Sequence, residues 1–350
     1  MNKLSNKCGS CGYTLTFDTQ SQSLKCLHCE SVTPINAQNL ITKHDYTVDS
    51  SLKQNDEHNL VYSCVNCGAK TNISEHILGK CPYCGSSDVE ELSNSLKHDA
   101  DGIIPFEISK DVAQKKYKEW LKRKKFVPNN LKSKSKIKTM EGFYCPCFCF
   151  DYDVQSKYSG VGIREHRVTR HVRTSNGTMR TVTDVEITRH PFSGSRNDKF
   201  ENLIITANGL VADNEIEKLG NFGLEKLKVF NPAYLLGFVS QDGSQTVHQG
   251  FSTSTNYTKK EIEERIKNAH GFDRLDSIKL ASDYQNKKYN YIYLPIYICS
   301  FIYKQKDYRF LVNGYSGYVT GKVPRSGWKI FGFVMLIILA VLGVVFLANL

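Results

Sequence analysis

The segment KCGSCGYTLTFDTQSQSLKCLHCE (Lys7–Glu30) determines how the first part of the chain folds. It holds two CxxC pairs, Cys8 with Cys11 and Cys26 with Cys29, and fourteen residues separate the pairs. A second set of two pairs follows with nearly the same spacing, thirteen residues. Its cysteines are Cys64, Cys67, Cys81 and Cys84. Eight of the twelve cysteines therefore form two copies of one pattern.

The repeated pairs predict metal sites. The N-terminus lacks an apolar stretch long enough for a signal peptide, so we expect the bulk of the chain in the cytoplasm, where disulfides are rare. Four thiolates in two CxxC turns suit tetrahedral Zn²⁺ and leave no coordination position open for a substrate. We therefore expect two structural zinc ribbons with one Zn²⁺ each and no metalloenzyme centre. A redox role for the CxxC pairs is the alternative, which the ribbon spacing disfavours.

Local sequence around the pairs agrees with this prediction. Glycine follows the second cysteine of three pairs, where the backbone often needs a positive φ. These residues are Gly12, Gly68 and Gly85. His28 lies inside a CxxC pair, and we interpret it as a solvated side chain because four thiolates already complete the site.

The C-terminal segment from Ile330 to Leu350 contains no charged residue. About 20 helical residues span the ~30 Å hydrocarbon core of a bilayer, so the segment 328–350 predicts a transmembrane tail anchor. Trp328 suits the headgroup region, and Lys322, Arg325 and Lys329 place positive charge on the N-terminal side. This flank predicts a single-pass membrane protein with its bulk in the cytoplasm. A buried core helix is the alternative.

Positive charge is concentrated in one part of the chain. The net charge is +11, and residues 110–138 alone contain twelve Lys or Arg and two acids, a net +10. Ser109 as N-cap and Pro128 as a stop predict a helix here, with Ala113, Tyr117, Trp120 and Leu121 on one face. Its cations could bind anionic lipid or nucleic acid, or simply be solvated. The candidate residues are Lys115, Lys116, Lys118, Lys122, Arg123, Lys124 and Lys125.

Residues 140–325 predict a mainly antiparallel α+β domain. Asn176-Gly177 and Asn313-Gly314 indicate hairpins, the first of which carries five arginines and two histidines. Thr258 with Glu261 predicts a helix start, and Gly271 its end. In FYCPCFCF, Cys145, Cys147 and Cys149 are interpreted as apolar residues of a buried strand, and a third metal site is the alternative.

The sequence shows no motif typical of an enzyme. The phosphate loop GxxxxGK[ST], HExxH, GxSxG and the dinucleotide-binding glycine pattern are all absent from the sequence. We therefore expect a protein without catalytic activity.

The sequence predicts six regions. They are ribbon 1 at 1–36, a linker at 37–58, ribbon 2 at 59–92, a loop and basic helix at 93–139, the α+β domain at 140–325 and the tail anchor at 328–350.

Three further segments carry a family resemblance. They are DGIIPFEISKDVAQKKYKEWLKRKKFVP from Asp101, NPAYLLGF from Asn231 and LPIYICSFIYKQKDYRFLVNGYSGYVTGKVPRSGWKI from Leu294. Together with the paired cysteines, they resemble the bacterial TFIIB-type zinc-ribbon-containing proteins, some of which are labelled primosomal or replication-restart helicase-like. The resemblance implies that the eight paired cysteines bind two zinc ions. The helicase label finds no support, since the phosphate loop is absent. The resemblance also implies that relatives with a membrane tail are associated with envelope-stress and flotillin-like proteins. Such an association implies a function as a scaffold.

These observations favour an adaptor or scaffold at the cytoplasmic face of a membrane, which recruits protein partners. A membrane-tethered, zinc-ribbon protein that binds nucleic acid is the alternative.

Overall fold

The described residues form a large mixed sheet, two small sheets and several helices, the last of which is C-terminal. A computed structural model describes residues 7–40, 42–47, 60–64, 70–72, 89–93, 100–134, 139–173, 179–240, 243–304 and 306–348. Within these residues, nearly all strand pairs are antiparallel. The expected α+β class with mainly antiparallel pairing is confirmed.

Two small sheets belong to the N-terminal part. The first has the order β1-β2-β3, with β1 (Leu15–Asp18), β2 (Ser23–Cys26) and β3 (Val32–Pro34). After the two-residue strand β4 (His44–Asp45), a second small sheet has the order β6-β5-β7. Its strands are β5 (Leu60–Cys64), β6 (Lys70–Asn72) and β7 (Val89–Ser93). Both small sheets are antiparallel.

The large sheet is built from long strands. The elements that precede its centre are β8 (Gly102–Ile103), α1 (Lys110–Arg123), α2 (Asn129–Lys134), β9 (Thr139–Arg173) and β10 (Met179–Thr206). Those that follow are α3 (Asp213–Lys218), β11 (Lys228–Val229), β12 (Val239–Ser240), α4 (Val247–His270), β13 (Arg274–Tyr303), β14 (Lys306–Asn313), β15 (Val319–Gly321) and α5 (Gly327–Ala348). The main order is β10-β9-β13-β14-β15. Aromatic and aliphatic side chains of its central strands form the core.

The β9–β10 hairpin extends past the rest of the sheet. Strand β13 pairs with β9 only as far as Ile163, whereas β9 and β10 remain paired up to Arg173 and Met179. Ten residues of each strand therefore form a two-stranded ribbon about 33 Å long, which we call the arginine arm (164–173 with 179–188). The predicted hairpin is confirmed, and its turn residues Asn176 and Gly177 lie outside the described residues.

The helix predicted to start at Thr258 begins eleven residues earlier, at Val247. Thr246 is the N-cap: its hydroxyl accepts a hydrogen bond from the Gln249 amide, and the Gln249 side chain accepts one from the Thr246 amide. Within the helix, the Thr258 hydroxyl donates to the Ser254 carbonyl. The prediction was wrong about the start because both sites carry a capping-box pattern. The end at Gly271, with φ of 64°, is confirmed.

Part of the predicted linker is built into the large sheet. Strand β4 pairs with β13, the Leu40 amide donates to the Leu227 carbonyl, and the Tyr46 amide donates to the Lys287 carbonyl. Residues 38–46, where described, therefore follow the surface of the domain and do not form a free connection.

Candidate functional site

The first two CxxC pairs meet at one end of the β1–β2 hairpin. Cys8 and Cys11 lie before β1, Cys26 is the last residue of β2, and Cys29 lies in the turn that follows. Pairing of Leu15 with Cys26 brings the end of β2 back to the start of β1. The hairpin thus places four cysteines from two turns side by side, as the sequence predicts. We call residues 7–34 the cysteine module.

The four sulfur atoms have the spacing of a metal-binding cluster. All four Sγ atoms lie within 4.8 Å of one another. Cys8 Sγ lies 3.6 Å from Cys29 Sγ, and Cys11 Sγ lies 3.5 Å from Cys26 Sγ. Zn–S bonds of about 2.3 Å in a tetrahedron require sulfurs about 3.8 Å apart. The donor set and its spacing are therefore close to those of a site for one tetrahedral metal ion.

The two turns that hold the cysteines have the same backbone form. The Gly12 amide donates to the Cys8 carbonyl at 2.8 Å, and the Glu30 amide donates to the Cys26 carbonyl at 3.0 Å. Gly12 has φ of 74°, as predicted, and Glu30 has φ of 59°. Glutamate rarely adopts this left-handed conformation because its Cβ approaches the following carbonyl oxygen. The second turn therefore carries strain that the first avoids.

Replacing Glu30 with glycine is expected to tighten Zn²⁺ binding. Release of the backbone strain should be worth about 1 kcal/mol, or roughly fivefold in affinity, after allowing for the greater freedom of glycine in the unfolded chain. Competition with a chelator measures the change. Glu30→Gln is the matched control, because it removes the same charge and keeps the strained backbone. Equal affinity of the two variants would show that charge, not backbone strain, is responsible.

Ser31 completes the surroundings of the cluster. Its Oγ lies 3.0 Å from Cys8 Sγ and 3.2 Å from Cys29 Sγ. This contact is the main reason that the pKa of Cys8 falls to about 5 and that the pKa of Cys29 is also lowered. Lowered pKa values favour the thiolate, which is the metal-binding form, at Cys8 and Cys29. The Tyr13 amide lowers the pKa of Cys11, but hydrogen bonding to Cys29, burial and the other two cysteines outweigh it and raise that pKa to about 12, so the four thiols share protons in the absence of a metal. Sequence reasoning missed Ser31; its position two residues after the last cysteine was the available signal.

The cysteine module is packed into the core of the large domain. The Phe17 ring meets the Tyr234 ring edge to face at 5.2 Å, and the Phe17 amide donates to the Leu236 carbonyl at 2.9 Å. The Gln22 side chain donates to the Phe106 carbonyl at 2.9 Å. Cys8, Cys26 and Phe17 belong to the same buried cluster as residues of α1 and β9. The cysteine module and the domain therefore form one packed unit.

The second predicted metal site lies mostly outside the described residues. Cys64 is the last residue of β5, within the small sheet β6-β5-β7. Cys67, Cys81 and Cys84 lie outside the described residues, as do Gly68 and Gly85. The second site stays a prediction from spacing.

The three cysteines of β9 are core residues. Cys145, Cys147 and Cys149 are buried, which agrees with the interpretation as apolar strand residues. Burial raises the pKa of Cys149 to about 11 and raises the pKa of Cys147 well above its usual value. Burial on β13 also raises the pKa of Cys299 well above its usual value. The thiols of Cys147, Cys149 and Cys299 therefore stay protonated and behave as small apolar groups.

All seven candidate basic residues are exposed. Helix α1 starts after the predicted N-cap Ser109 and buries Ala113, Tyr117 and Leu121 against the domain. Its lysines and Arg123 therefore face away from the core, and Lys124 Nζ lies 4.8 Å from the Trp120 ring centre. The arginines of the arginine arm are exposed too, so both α1 and the arginine arm present basic surfaces.

Helix α5 is uncovered along its apolar length. The span Gly327–Leu347 has 21 residues and a mean hydropathy of 3.2, enough to cross a membrane. Every described side chain from Ile330 to Leu347 is exposed, so α5 is not a core helix of this chain. Trp328, 85% exposed, stands at its start.

A cavity of about 520 Å³ lies between β10, α3 and α4. Its central charged groups hold the helices to the sheet: the Asp213 carboxylate accepts hydrogen bonds from the Thr206 amide and hydroxyl, and Arg265 pairs with Asp198 and Glu261. The remaining wall mixes apolar side chains, among them Leu203, Ile205 and Ile216, with the charged residues Glu201, Glu217 and Lys260.

Comparison with known proteins gives one informative similarity. No family model matches the chain, and no solved structure matches it. A protein of Bacillus subtilis (strain 168) described as "Uncharacterized protein YdjG" is 24% identical over 335 residues, which cover 93% of this chain and 92% of that protein. The similarity thus extends over most of the chain.

Proposed function

We propose that this protein is a non-enzymatic adaptor, anchored by α5 to the cytoplasmic face of a membrane, which recruits protein partners. The observation that carries the proposal is the shared core of the cysteine module and the domain that leads directly into α5. Four thiolates complete a tetrahedral site, so a metal there stabilises a surface and offers no position to a substrate. A rigid surface beside a membrane helix suits recruitment.

The metal at each set of cysteines is proposed to be zinc. The all-sulfur donor set and the tetrahedral spacing of the described cluster support Zn²⁺ there. The second set repeats the CxxC pairs at nearly the same spacing, which supports a second Zn²⁺. Both ions would act structurally: the eight cysteines hold them, and folding of the two small sheets depends on them.

The orientation is proposed from charge next to α5. Lys322, Arg325 and Lys329 precede the apolar run, and cytoplasmic flanks of membrane helices carry an excess of such residues. The domain would therefore lie in the cytoplasm, with the helix entering the bilayer from that side.

The arginine arm favours a second candidate function. Two-stranded ribbons can enter a groove of DNA, and this one carries Arg167, Arg170, Arg173 and Arg180 on exposed positions. A membrane-tethered protein that binds nucleic acid would use these cations on phosphates. Its affinity would fall steeply as salt concentration rises.

One experiment separates the two functions. Full-length protein is crosslinked in membranes, solubilised in detergent and purified with and without nuclease, in parallel with Cys11→Ser/Cys29→Ser and Arg167→Glu/Arg170→Glu/Arg173→Glu variants. The adaptor proposal expects a reproducible set of crosslinked proteins that survives nuclease and salt and is lost in the cysteine variant, because the recruiting surface needs the metal. Loss of all crosslinks after nuclease or in the arginine variant would support nucleic-acid binding instead.

A further inference from the structure

The turn between α1 and α2 is fastened to the first residues of α5. The Ser326 amide donates to the Phe126 carbonyl at 2.7 Å. The Lys329 ammonium donates to the Val127 carbonyl and to the Asn129 side-chain oxygen, each at 2.7 Å. Three hydrogen bonds thus connect this turn to the point where the apolar helix begins.

An aromatic contact continues the connection along the apolar helix. The Phe126 ring meets the Phe333 ring edge to face, with centres 5.3 Å apart. Phe333 lies six residues into α5, or about 9 Å along its axis. Since Phe126 is only half-buried by the protein, the turn carries an apolar side chain alongside the lipid-facing helix. Interfacial segments bury their apolar face about 5–10 Å into the boundary of headgroups and acyl chains. A Phe126 side chain level with Phe333 lies within this range if the bilayer surface is at the first residue of α5.

Four consecutive cations lie at the end of α1 and at the beginning of this turn. They are Lys122, Arg123, Lys124 and Lys125, and all four are exposed. One and two turns earlier in α1, Lys115, Lys116 and Lys118 are exposed as well. Because Ala113, Tyr117 and Leu121 attach α1 to the core, this surface cannot turn inward. We call these seven residues the basic platform.

We propose that the basic platform binds anionic lipid headgroups of the same membrane that α5 enters. The inference rests on the proposed membrane anchoring and deepens it by naming the partner of the seven cations. Attraction of lysines to an anionic leaflet acts over about one Debye length, roughly 8–10 Å. The fastening to Ser326 and Lys329 holds the end of α1 within that range. Because this connection keeps headgroups at a high effective concentration near the basic platform, binding of lipid loses little further entropy.

The geometry favours lipid over nucleic acid at this surface. A nucleic acid would have to enter the space between α1 and the bilayer from which α5 emerges, against the negative potential of the leaflet. The arginine arm lies on β9 and β10 and has no such restriction. The two basic surfaces are therefore suited to different anions.

The two tryptophans of the chain allow a direct test, because one lies on α1 and the other at the start of α5. Full-length Trp328→Phe protein reports only Trp120, and full-length Trp120→Phe protein reports only Trp328. Each is reconstituted into nanodiscs of phosphatidylcholine, with or without phosphatidylglycerol, that contain headgroup spin-labelled lipid. We expect Trp328 to be quenched in both discs and Trp120 to be quenched clearly more in the anionic disc, with the difference lost at high salt.

Charge variants sharpen the test. In the Trp328→Phe background, Lys122→Glu/Arg123→Glu/Lys125→Glu should reduce Trp120 quenching in anionic discs to the level of neutral discs; Lys124 is kept because it contacts Trp120. Each lysine or arginine removed should lower the affinity for the anionic surface on the order of fivefold. The control, Arg167→Glu/Arg170→Glu/Arg173→Glu, changes as many charges on the arginine arm and should leave the quenching unchanged.

The outcomes are distinct. Quenching of Trp328 with equal quenching of Trp120 in the two discs would overturn the lipid inference and leave the anchor intact. Absence of Trp328 quenching would overturn the anchor and the inference together. If the platform variant lost affinity for an oligonucleotide while Trp120 quenching stayed at the parent level, the cations would serve nucleic acid and the lipid inference would be overturned.

Discussion

Replacing Cys26 with serine is expected to unfold the cysteine module and to weaken the domain on which it packs. Cys26 has no exposed surface, and its Sγ lies 3.5 Å from Cys11 Sγ. Structural zinc sites release about 10–16 kcal/mol on binding in small peptides, and folding of the module depends on that free energy. Phe17, which the module places against Tyr234, would lose its position as well. Loss of a buried phenylalanine alone costs about 3–5 kcal/mol.

Metal analysis and hydrogen exchange measure this effect. We expect about two Zn²⁺ per parent chain and about one in the variant. We also expect loss of exchange protection at the Phe17 amide, which donates to Leu236. Cys145→Ala is the matched control, since it removes an equally buried thiol outside the cluster. The interpretation of the cluster as a metal site would be wrong if Cys26→Ser kept the full zinc content.

Deleting residues 327–350 is expected to move the protein from the membrane fraction to the soluble fraction. The apolar span contributes 21 residues with no charge after Lys329, and its side chains from Ile330 to Leu347 are exposed. Two arginines at its centre, Leu339→Arg with Leu342→Arg, should act in the same direction, because each costs about 2.5–3.5 kcal/mol on insertion.

Fractionation with an alkaline carbonate wash distinguishes insertion from surface attachment. The parent and the control Leu339→Ile/Leu342→Ile should stay in the pellet, whereas the deletion and the double-arginine protein should be extracted. Recovery of the parent protein in the soluble fraction, together with the deletion protein, would refute the anchor. Retention of the deletion protein on anionic membranes at low salt would agree with the basic platform.

Several features follow from local sequence because local chemistry determines them. The spacing of Cys8, Cys11, Cys26 and Cys29 is enough to predict the described cluster, since a hairpin of that length returns one turn to the other. Ser109 as N-cap is confirmed because its side chain accepts from the Val112 amide. The exposed apolar helix agrees with the tail prediction for a similar reason, as it depends on composition alone.

Other features depend on contacts between distant parts of the chain. The first half of α4, VHQGFSTSTNY, is rich in residues with weak helix propensity, so the local pattern favoured the later start. Its Ser254 and Thr258 are buried and contact the Tyr152 hydroxyl of β9. Contacts with the sheet therefore stabilise a helix that the segment alone does not predict. The contact of Phe17 with Tyr234 cannot be predicted from the sequence either, because no local pattern shows which distant surface a strand will cover.

In the described residues 306–348, no flexible linker separates the folded domain from the apolar helix α5. Val323 contacts the core, Pro324 is buried, and Ser326 and Lys329 are hydrogen-bonded to the turn after α1. In a bilayer, these contacts would restrict the movement of the domain relative to α5. All copies in one leaflet would point the same face toward the water, so a partner would search in two dimensions for a surface whose orientation is already set.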